Sequence, residues 1–523
     1  MAAVLIFIFI FILAFSGTPL FVIMALGALL GFYFISQVDT AIIIQEAYRL
    51  ASAPALIAIP LFTLGGYILA ESKAPERLLR FTKALVGWFP GGVPLVVLIV
   101  TSIFTALTGA SGITIVALGG LLMPIIRKAG YSENFSLGIV TSTGSIGLLF
   151  PPSLPIILYG VISQTAVNEL FIAGILPGML LIFSFFIYSA LTSFGKKIQT
   201  EKFDIKELLI STKNAIFEIP LPIFIILGIY TGKFTASEAA IVTVVWVIVV
   251  EVFIYRDVKI KQFPKVVKES MLLIGAIMAI LSMAMGFTNF LVDQQIPQKL
   301  FEFSKQYIDS KVSFLIVLNL FLLIVGMLMD IFSAIVVVVP LIAPVAENYG
   351  IDPVHLGIIF LANLEIGYLT PPVGLNLFIS AFRFGKPITH IYKLVIPFIS
   401  ILLVCLLIIT YVPDLSLRAV KGLVEGVVVD ENGKPIRAKI DIPETGQQII
   451  TDENGKFKVY LSLPDFSKPH DFNILFAAEG YDSTVEKVNI RRGQKKKLEV
   501  KLNKTSENQG ETEKQESNNN QNQ

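Results

Sequence analysis

Apolar stretches separated by short polar connections run along most of this chain, from its first residues to about residue 413. A helix of about 20 apolar residues is long enough to cross the hydrocarbon core of a bilayer. The pattern predicts membrane segments near residues 2–15, 19–37, 51–70, 93–107, 111–126, 134–164, 168–194, 214–232, 236–254, 268–292, 312–329, 331–346, 354–384 and 389–413. We therefore expect an all-α polytopic membrane protein over residues 1–415.

Two pairs of neighbouring stretches are shorter than a full membrane span, namely 93–107 with 111–126 and 312–329 with 331–346. A helix of about 15 residues rises about 23 Å, which is less than the roughly 30 Å of hydrocarbon. Thr108-Gly109-Ala110 joins the first pair, and a few residues around Asp330 join the second. The pattern predicts two re-entrant hairpins whose tips stop inside the membrane.

The segment from Leu122 to Ser153 recurs without a gap 220 positions later, where it ends at Val373. Its helix-breaking residues keep one register in both copies: Pro124 and Pro344, Gly130 and Gly350, Gly147 and Gly367, Pro151-Pro152 and Pro371-Pro372. Two merely similar helices would share apolarity but not this spacing. Internal duplication with interrupted helices is typical of secondary transporters, and the interruptions point to the binding site. We predict repeats at about 51–194 and 268–413, each with a hairpin and a broken helix.

The distribution of Lys and Arg orients these repeats. Basic residues flank both ends of the apolar pair 214–254: Lys196, Lys197, Lys202, Lys206 and Lys213 before it, and Arg256, Lys259, Lys261, Lys265 and Lys268 after it. Because basic loops remain in the cytoplasm, both ends of this pair are expected there. The same count makes hairpin one enter from the cytoplasm and hairpin two from outside, so the repeats are predicted to be inverted.

The pattern changes after Pro413. Short runs of alternating β-branched and polar residues are separated by Asn432-Gly433 and Asn454-Gly455, a form typical of β-hairpins. We predict a small β-sandwich over residues 416–503, outside the cytoplasm by the charge count. Residues 504–523 are polar without any apolar period and are expected to be disordered.

Composition excludes several classes of function. Hydrophobic residues make up 54% of the chain and charged residues 15%, whereas soluble domains have about a quarter charged residues. A net charge of +2 gives no basic field for nucleic acid. Cys405 is the single cysteine and the three histidines are scattered, so neither a disulfide nor a transition-metal site is expected. No nucleophile and base recur near the breaks, so we expect no enzyme and no organic cofactor.

The two breaks carry the candidate cation chemistry. A proline removes a backbone donor and frees an acceptor, and unpaired carbonyls in hydrocarbon are costly unless something binds them. Oxygen ligands of this kind suit a hard cation. The candidate ligands are Thr108, Gly109, Ser111, Gly144, Ser145, Gly147 and Pro151 in repeat one, and Asp330, Ser333, Asn363, Glu365, Gly367, Thr370 and Pro371 in repeat two. The copies differ in that Ala110 corresponds to Asp330 and Ser145 to Glu365.

The hairpin tips carry the candidate substrate chemistry. Hydroxyls lie where each outgoing half-helix begins, and the amides and positive dipole end of a helix attract an anion there. The candidate substrate residues are Thr108, Ser111, Thr114, Ser153, Ser333 and Asn376. Simple N-capping by Thr108 and Asp330 is compatible with that role. A carboxylate-bearing substrate is therefore expected between the two tips.

Five ordered motifs resemble the large membrane subunit of tripartite ATP-independent periplasmic (TRAP) transporters: PLFTLGGYIL, TGASGITIVALGGLLMP, GSIGLLFPPSLPIILYG, GMLMDIFSAIVVVVPLIAP and NLEIGYLTPPVGLNLF. The resemblance covers residues 1–415. It implies an elevator-type mechanism in a bacterial inner membrane, coupled to sodium ions held between each hairpin and its break. It also implies a small four-helix membrane subunit and an extracytoplasmic solute-binding protein that delivers a dicarboxylate, sialic acid or similar carboxylate. Hairpin one departs from the family pattern in GITIV.

The C-terminal module lies outside that family pattern. Its sequences GVVVDENGKPIRAKIDI and TDENGKFKVYL resemble the carboxypeptidase regulatory-like β-sandwich. We expect a binding or spacing module that contacts the solute-binding protein or the cell envelope.

Two other readings of the whole chain remain open at this point. One is a stand-alone ion-coupled organic-anion transporter of the same build, which needs no binding protein. The other is an envelope sensor whose membrane part positions the external β-domain, although duplicated broken helices would then have no purpose.

Overall fold

The computed structural model describes residues 6, 8–10, 12, 13, 16, 18–89, 91–193, 202–463 and 468–505. Most of the first apolar stretch, Lys196 and Lys197 of the charge count, and the predicted disordered tail beyond residue 505 lie outside these residues. The chain forms two compact units, Met1–Ser416 and Leu417–Gln523. The first unit is helical and the second consists mainly of β-strands.

The helical unit follows the predicted apolar stretches. Up to the end of repeat one its helices are α1 (Leu20–Gly31, continued by a π-helix over Phe32–Ser36), α2 (Ala41–Ala51), α3 (Pro54–Glu71), α4 (Ala74–Val86), α5 (Gly92–Thr108), α6 (Ser111–Lys128), α7 (Glu133–Thr143), α8 (Leu154–Ile162), α9 (Val167–Ala173) and α10 (Ile175–Ser193). The later helices are α11 (Ile205–Asn214), α12 (Pro220–Tyr230), α13 (Ala236–Ile248, continued by a π-helix over Val249–Ile254), α14 (Phe263–Asp293), α15 (Ile296–Lys305), α16 (Lys311–Leu328), α17 (Ile331–Asn348), α18 (Pro353–Gly367), α19 (Leu375–Phe384), α20 (Ile388–Tyr411) and α21 (Asp414–Leu417).

Many of these helices are suited to a membrane. Within the described residues, seven helices are long and apolar enough to cross a bilayer, or up to nine if each of two bent helix pairs is one span. The predicted polytopic α-helical fold is therefore confirmed.

Both predicted hairpins are present. Hairpin one consists of α5 and α6, which Gly109 and Ala110 join, and hairpin two consists of α16 and α17, which Met329 and Asp330 join. Gly109 has a φ of 68°, the left-handed conformation that glycine adopts without steric cost and that ends α5. The arms contain 17 or 18 residues, and three of the four are slightly longer than the apolar pattern predicts.

Both predicted broken helices are interrupted at the predicted places. In repeat one, α7 ends at Thr143, a 3-10 helix covers Ile146–Leu149, and α8 then begins after a 44° bend. In repeat two, α18 ends at Gly367 and α19 begins at Leu375. Proline cannot continue a helical hydrogen-bond ladder, which explains why both interruptions contain a Pro-Pro pair. The Pro151-Pro152 and Pro371-Pro372 bonds are both cis.

Each break packs directly on the hairpin of its own repeat. A Cβ added to Gly147 would lie 2.9 Å from the Ala106 nitrogen, and one added to Gly367 would lie 2.5 Å from the Gly326 Cα. Ala106 and Gly326 are separated by the same 220 positions as the two glycines. The duplication therefore repeats a backbone contact that leaves no room for a side chain, and not only a spacing of helix breakers.

The second unit is a two-sheet sandwich, which confirms the predicted fold of this module. Its strands are β1 (Gly422–Asp430), β2 (Lys439–Ile442), β3 (Gln447–Ile450), β4 (Lys456–Leu461), β5 (His470–Ala477), β6 (Thr484–Ile490) and β7 (Lys495–Leu502). The sheet orders are β4-β1-β7, with β1 and β7 parallel, and β3-β2-β5-β6. Inward-facing residues such as Val424, Ile440 and Phe472 alternate with exposed ones and fill the space between the sheets.

The two Asn-Gly turns lie where the pattern predicts turns, but they close less of a β-hairpin than it indicates. Gly433 and Gly455 do adopt positive φ values in tight turns. The Asn432-Gly433 turn closes only a single bridge between Val429 and Pro435 before the chain reaches β2 in the other sheet. The turn at Asn454-Gly455 joins β3 to β4, which also belong to different sheets. Turn residues indicate where the chain reverses, but not which strand it pairs with next.

The contact between Gly367 and Gly326 predicts a large effect of a single methyl group. We expect Gly367→Ala to lower the free energy of unfolding by about 1–3 kcal/mol or more, because overpacking against backbone cannot be relieved by a side-chain rotation. Gly275→Ala in α14 is the matched control, since no atom lies within 4 Å of its added Cβ and alanine favours a helix. Thermal unfolding of the purified variants measures both, and equal midpoints would contradict the packing argument.

Candidate functional site

Thr105 links hairpin one to the break of repeat one. Its Oγ1 donates a hydrogen bond to the Gly144 carbonyl at 2.9 Å and lies 2.6 Å from the Thr114 Oγ1 on the other arm of the hairpin. The three residues are all buried. Thr105 satisfies a carbonyl that the interrupted helix leaves free, and it fixes the hairpin arms against the break. Sequence reasoning missed Thr105 because it lies one helical turn before the predicted tip.

Several other polar groups around this break have no hydrogen-bond partner within the described structure. The hydroxyls concerned are those of Ser102, Thr108, Thr141, Ser142, Thr143, Ser145 and Ser153, all of which are buried. A buried polar atom without a partner costs about 1–3 kcal/mol. A group of such oxygens beside free carbonyls is the donor set that a hard cation prefers. The predicted residues Thr108, Gly144 and Ser145 belong to this region.

Hairpin two contacts its break through different polar groups. The Ile331 amide donates to the Tyr368 hydroxyl at 2.7 Å. Asp330 Oδ1 accepts from the Phe332 and Ser333 amides at 3.0 and 3.1 Å, so this carboxylate caps α17. The capping role considered for Asp330 is therefore present, and it brings the predicted residue Ser333 next to it.

The remaining candidate ligands of repeat two are dispersed. Asn363 donates to Asn319 Oδ1 at 2.7 Å and leaves its own Oδ1 without a partner. Glu365 is fully buried, and neither of its carboxylate oxygens has a partner within the described residues. Thr370 donates to the Ile366 carbonyl at 2.8 Å, while Pro371 lies on an exposed loop. The structure places these side chains along and after α18 and does not bring all of them to one point.

A side-chain hydrogen bond joins hairpin one to the helix that follows the second break. Ser111 Oγ, at the start of α6, donates to Asn376 Oδ1 in α19 at 2.8 Å. Ser111 belongs to hairpin one, whereas Asn376 follows the break of repeat two. The two predicted substrate residues are therefore in contact with each other.

A cavity of about 860 Å³ lies between the two hairpin tips. Residues at equivalent positions of the two repeats line it, including Ala110 with Asp330 and Leu148 with Tyr368. The C-terminal end of α3, the start of α4 and the first turns of α14 complete the wall. A space of this size, formed where two repeats meet, is suited to a small organic solute.

The cavity wall contains only part of the predicted site. Of the candidates, Gly109, Ser111 and Asp330 line the cavity, whereas Thr108, Thr114, Ser153, Ser333 and Asn376 are not among its lining residues. Sequence reasoning missed Tyr67, Glu71, Glu76, Glu269 and Tyr368, which do line it. The sequence did contain a signal for the acidic ones, because they lie at the ends of apolar stretches, where charged residues are few.

A buried ion cluster holds α4 beside the cavity. The guanidinium of Arg77 hydrogen-bonds to Glu218, to Asp257 at 2.5 Å and to Glu251 at 2.8 Å, and it lies over the Tyr255 ring at 4.0 Å. All four ionised side chains are largely buried. A single arginine thus connects α4 with the segment before α12 and with the end of α13. It fixes the start of α4, where Pro75 and Glu76 line the cavity.

The helical unit matches a known protein family. The family described as "Tripartite ATP-independent periplasmic transporter, DctM component" matches residues 7–415. The C4-dicarboxylate TRAP transporter large permease protein DctM of Pseudomonas aeruginosa is 38% identical over 363 residues, which is 69% of this chain and 85% of that protein. The ectoine TRAP transporter large permease protein TeaC of Halomonas elongata is 30% identical over 406 residues, which is 77% of this chain and 95% of that protein.

A solved structure shares the fold. The YdaH transporter of Alcanivorax borkumensis matches with a TM-score of 0.52 at 12% identity, covering 70% of this chain and 86% of that chain. At this level of identity the match supports the architecture of the helical unit and nothing finer.

The Arg77 cluster predicts a strong difference between two arginines of α4. We expect Arg77→Met to lower the free energy of unfolding by about 3–5 kcal/mol, because it leaves three buried carboxylates without their cation. Arg80→Met is the matched control, since Arg80 pairs with Glu207 in an exposed position and exposed pairs contribute little. Thermal unfolding of both variants tests this. A similar loss of stability in each would show that the buried cluster stabilises the protein no more than an exposed ion pair.

Proposed function

Because this chain belongs to the DctM component family of tripartite ATP-independent periplasmic transporters, we propose that it is the permease of a sodium-coupled, binding-protein-dependent importer of a small organic acid. Its relatives are transport permeases, and its apolar helices make it a multi-pass protein of the inner membrane. The single observation that carries the proposal is the cavity between two hairpin tips, each packed on a broken helix.

Sodium is proposed to bind where hairpin one meets the first break. Among the described residues the Thr108 and Ser145 hydroxyls have no partner there, and Thr105 donates to the Gly144 carbonyl. Sodium is a hard cation that prefers several oxygen ligands, and its binding would satisfy groups that otherwise remain buried and unpaired. A second ion is proposed between hairpin two and α18, with Asn363, Glu365 and Thr370 as candidate ligands.

The cavity is proposed to hold the substrate while hairpins and broken helices move together as a transport domain. The names of relatives mention a C4-dicarboxylate, ectoine and isethionate, so a small polar organic solute is the common class. We propose a small four-helix membrane subunit that enlarges the static part of the carrier, and a solute-binding protein that delivers the substrate from outside. The β-sandwich is proposed to lie outside the cytoplasm as a spacing or docking module.

Reconstituted transport tests the proposal directly. Purified protein with its small subunit in proteoliposomes should accumulate substrate only when a sodium gradient and the loaded binding protein are both present. Uptake that proceeds without the binding protein would contradict the tripartite mechanism. Uptake that ignores the sodium gradient would contradict the coupling ion.

Thr108→Val separates an ion ligand from a packing residue. If Thr108 binds sodium, the isosteric valine should raise the sodium concentration for half-maximal uptake about 10-fold, which corresponds to about 1.4 kcal/mol. If Thr108 only packs, replacing a buried unpaired hydroxyl by a methyl group should stabilise the protein and leave the sodium requirement unchanged. Thr101→Val is the matched control, because the Thr101 hydroxyl donates to the Val97 carbonyl within the same helix.

The position of the β-sandwich is tested by proteolysis. A protease added outside spheroplasts should remove the fragment after residue 417, because the proposed topology places it outside the cytoplasm. The cytoplasmic segment around Lys259 to Lys265 should resist cleavage until the membrane is permeabilised. The reverse order of cleavage would mean that the charge count assigns the wrong orientation.

A further inference from the structure

The Arg77 cluster contains more negative charge than one arginine neutralises. Three carboxylates contact its guanidinium, those of Glu218, Glu251 and Asp257. One positive and three negative charges leave the cluster with a net charge of −2 if every acid is ionised. Glu251 is fully buried and Glu218 is 4% exposed. Uncompensated negative charge is costly in such a position.

Two of the carboxylates share one edge of the guanidinium. Glu218 Oε1 accepts a hydrogen bond from Arg77 Nε, and Glu251 Oε2 accepts one from Nη2 at 2.8 Å. A single carboxylate usually binds these two N–H groups with both of its oxygens. Here the edge is divided between two side chains, so the two glutamates lie next to each other. Neighbouring carboxylates repel each other when both are ionised.

Each glutamate of this Glu218–Glu251 pair has a second oxygen that lacks a donor. Glu218 Oε2 and Glu251 Oε1 are buried and have no hydrogen-bond partner in the part of the chain that the structure describes. A buried acceptor without a donor destabilises the folded state. A single proton on the pair removes one negative charge and supplies an O–H donor, as in other sites where two carboxylates lie together.

The other titratable groups around the pair have partners of their own. Asp257 accepts from Arg77 at 2.5 Å and from the Lys73 backbone amide at 3.1 Å. Tyr255 lies over the guanidinium, and its hydroxyl donates to the Asn214 carbonyl at 2.7 Å. The Arg77 and Asp257 side chains retain 14% and 10% of their exposure. The cluster therefore reaches the protein surface, where protons can exchange with solvent.

The helix that carries Arg77 connects the cluster with the cavity and with hairpin one. Pro75 and Glu76, in the first turn of α4, line the cavity. At the other end of α4, a Cβ added to Gly92, the first residue of α5, would overlap the Val86 carbonyl oxygen. A change in how firmly the Arg77 cluster holds α4 therefore reaches both the cavity wall and the start of hairpin one.

We propose that the Glu218–Glu251 pair binds one proton, and that this proton strengthens the contact of α4 with the segment before α12 and the end of α13. In the protonated pair, one carboxyl group donates to the free oxygen of the other. When the proton leaves, the two carboxylates repel each other and α4 is held less firmly. The charge count predicts that these loops face the cytoplasm, so the site responds to cytoplasmic pH.

Glu251→Gln tests the proton site, because an amide provides an N–H donor and does not titrate. An unfolded glutamate loses its proton above its ordinary pKa of about 4.3, whereas the folded pair keeps one. Stability should therefore fall as the pH rises, until the folded pair also loses its proton. In that range the equilibrium constant for unfolding should increase about 10-fold more per pH unit in the unaltered protein than in Glu251→Gln. Denaturant titration of the purified full-length protein in detergent measures this difference.

Two further variants make the comparison specific. Glu207→Gln is the matched control, because Glu207 binds Arg80 of the same helix through both of its oxygens in an exposed position. It should keep the pH dependence of the unaltered protein. Glu218→Gln should lose that dependence as Glu251→Gln does, since the two side chains share the proton.

Spectroscopy and hydrogen exchange report on the proton and on α4 separately. The infrared difference spectrum between acidic and alkaline pH should contain the carbonyl stretching band of a protonated carboxylic acid. Part of this band should be absent in Glu251→Gln and retained in Glu207→Gln. Deuterium exchange of the α4 amides, corrected for the intrinsic effect of pH, should become faster at alkaline pH in the unaltered protein but not in Glu251→Gln.

Other outcomes overturn the inference in distinguishable ways. Equal pH dependence in the unaltered protein and both pair variants would show that the pair holds no proton. Stabilisation by sodium or magnesium that Glu251→Gln abolishes, without a protonated carboxyl band, would make the occupant a metal ion. Exchange of α4 that does not change with pH, although the band is present, would overturn the link between the proton and α4.

Discussion

The helical unit depends on one constraint: a helix that is interrupted among apolar residues must have its free backbone groups satisfied by protein or by a ligand. The first break meets this constraint through Thr105, which bonds the Gly144 carbonyl, and through Gly147, which allows the hairpin backbone to touch the break. The second break meets it through the Tyr392 hydroxyl, which donates to the Pro372 carbonyl, and through the Asn376 backbone amide, which donates to the Tyr368 carbonyl. Hairpin and break are consequently one structural element in each repeat, and the cavity lies where the two elements face each other.

Buried polar groups are satisfied to different degrees in two parts of this unit. The hydroxyls of Thr108 and Ser145 are buried without partners in the part of the chain that the structure describes, so the folded state loses stability that an ion could restore. Ion binding would then strengthen the contact between the hairpin and its break. Occupancy of the ion site would in this way shift the equilibrium between conformations of the protein. Arg77 instead donates to all three carboxylates of its cluster, although one oxygen of Glu218 and one of Glu251 have no partner among the described residues. The cluster holds α4 against the segment before α12 and the end of α13.

The sequence predicted the parts of the fold that are determined locally. Gly109 and the Pro-Pro pairs end helices through their own backbone chemistry, so hairpins and breaks could be located without knowing any neighbour. The Arg77 cluster joins residues that are 141 to 180 positions apart in the sequence, and no local pattern predicts such partners. The cavity acids were missed for the same reason, because Glu71 and Glu269 line one cavity only through the packing of α3 and α14. In the β-sandwich, Gly433 marked a turn correctly while the pairing of β1 with β4 and β7 depended on the whole sandwich.

The duplication explains both the symmetry of the cavity and its polarity. Equal spacing of helix breakers produces two tips with the same backbone form, so the cavity receives equivalent residues from both repeats. The side chains at those equivalent positions have diverged, since Ala110 leaves one helix start uncapped and Asp330 fills the other. Behind the tips, the equivalent positions Ser145 and Glu365 differ in the same way, with a neutral residue in repeat one and an acidic residue in repeat two. The equivalent positions of the two repeats therefore present different groups to the cavity, with backbone amides at one tip and a carboxylate at the other.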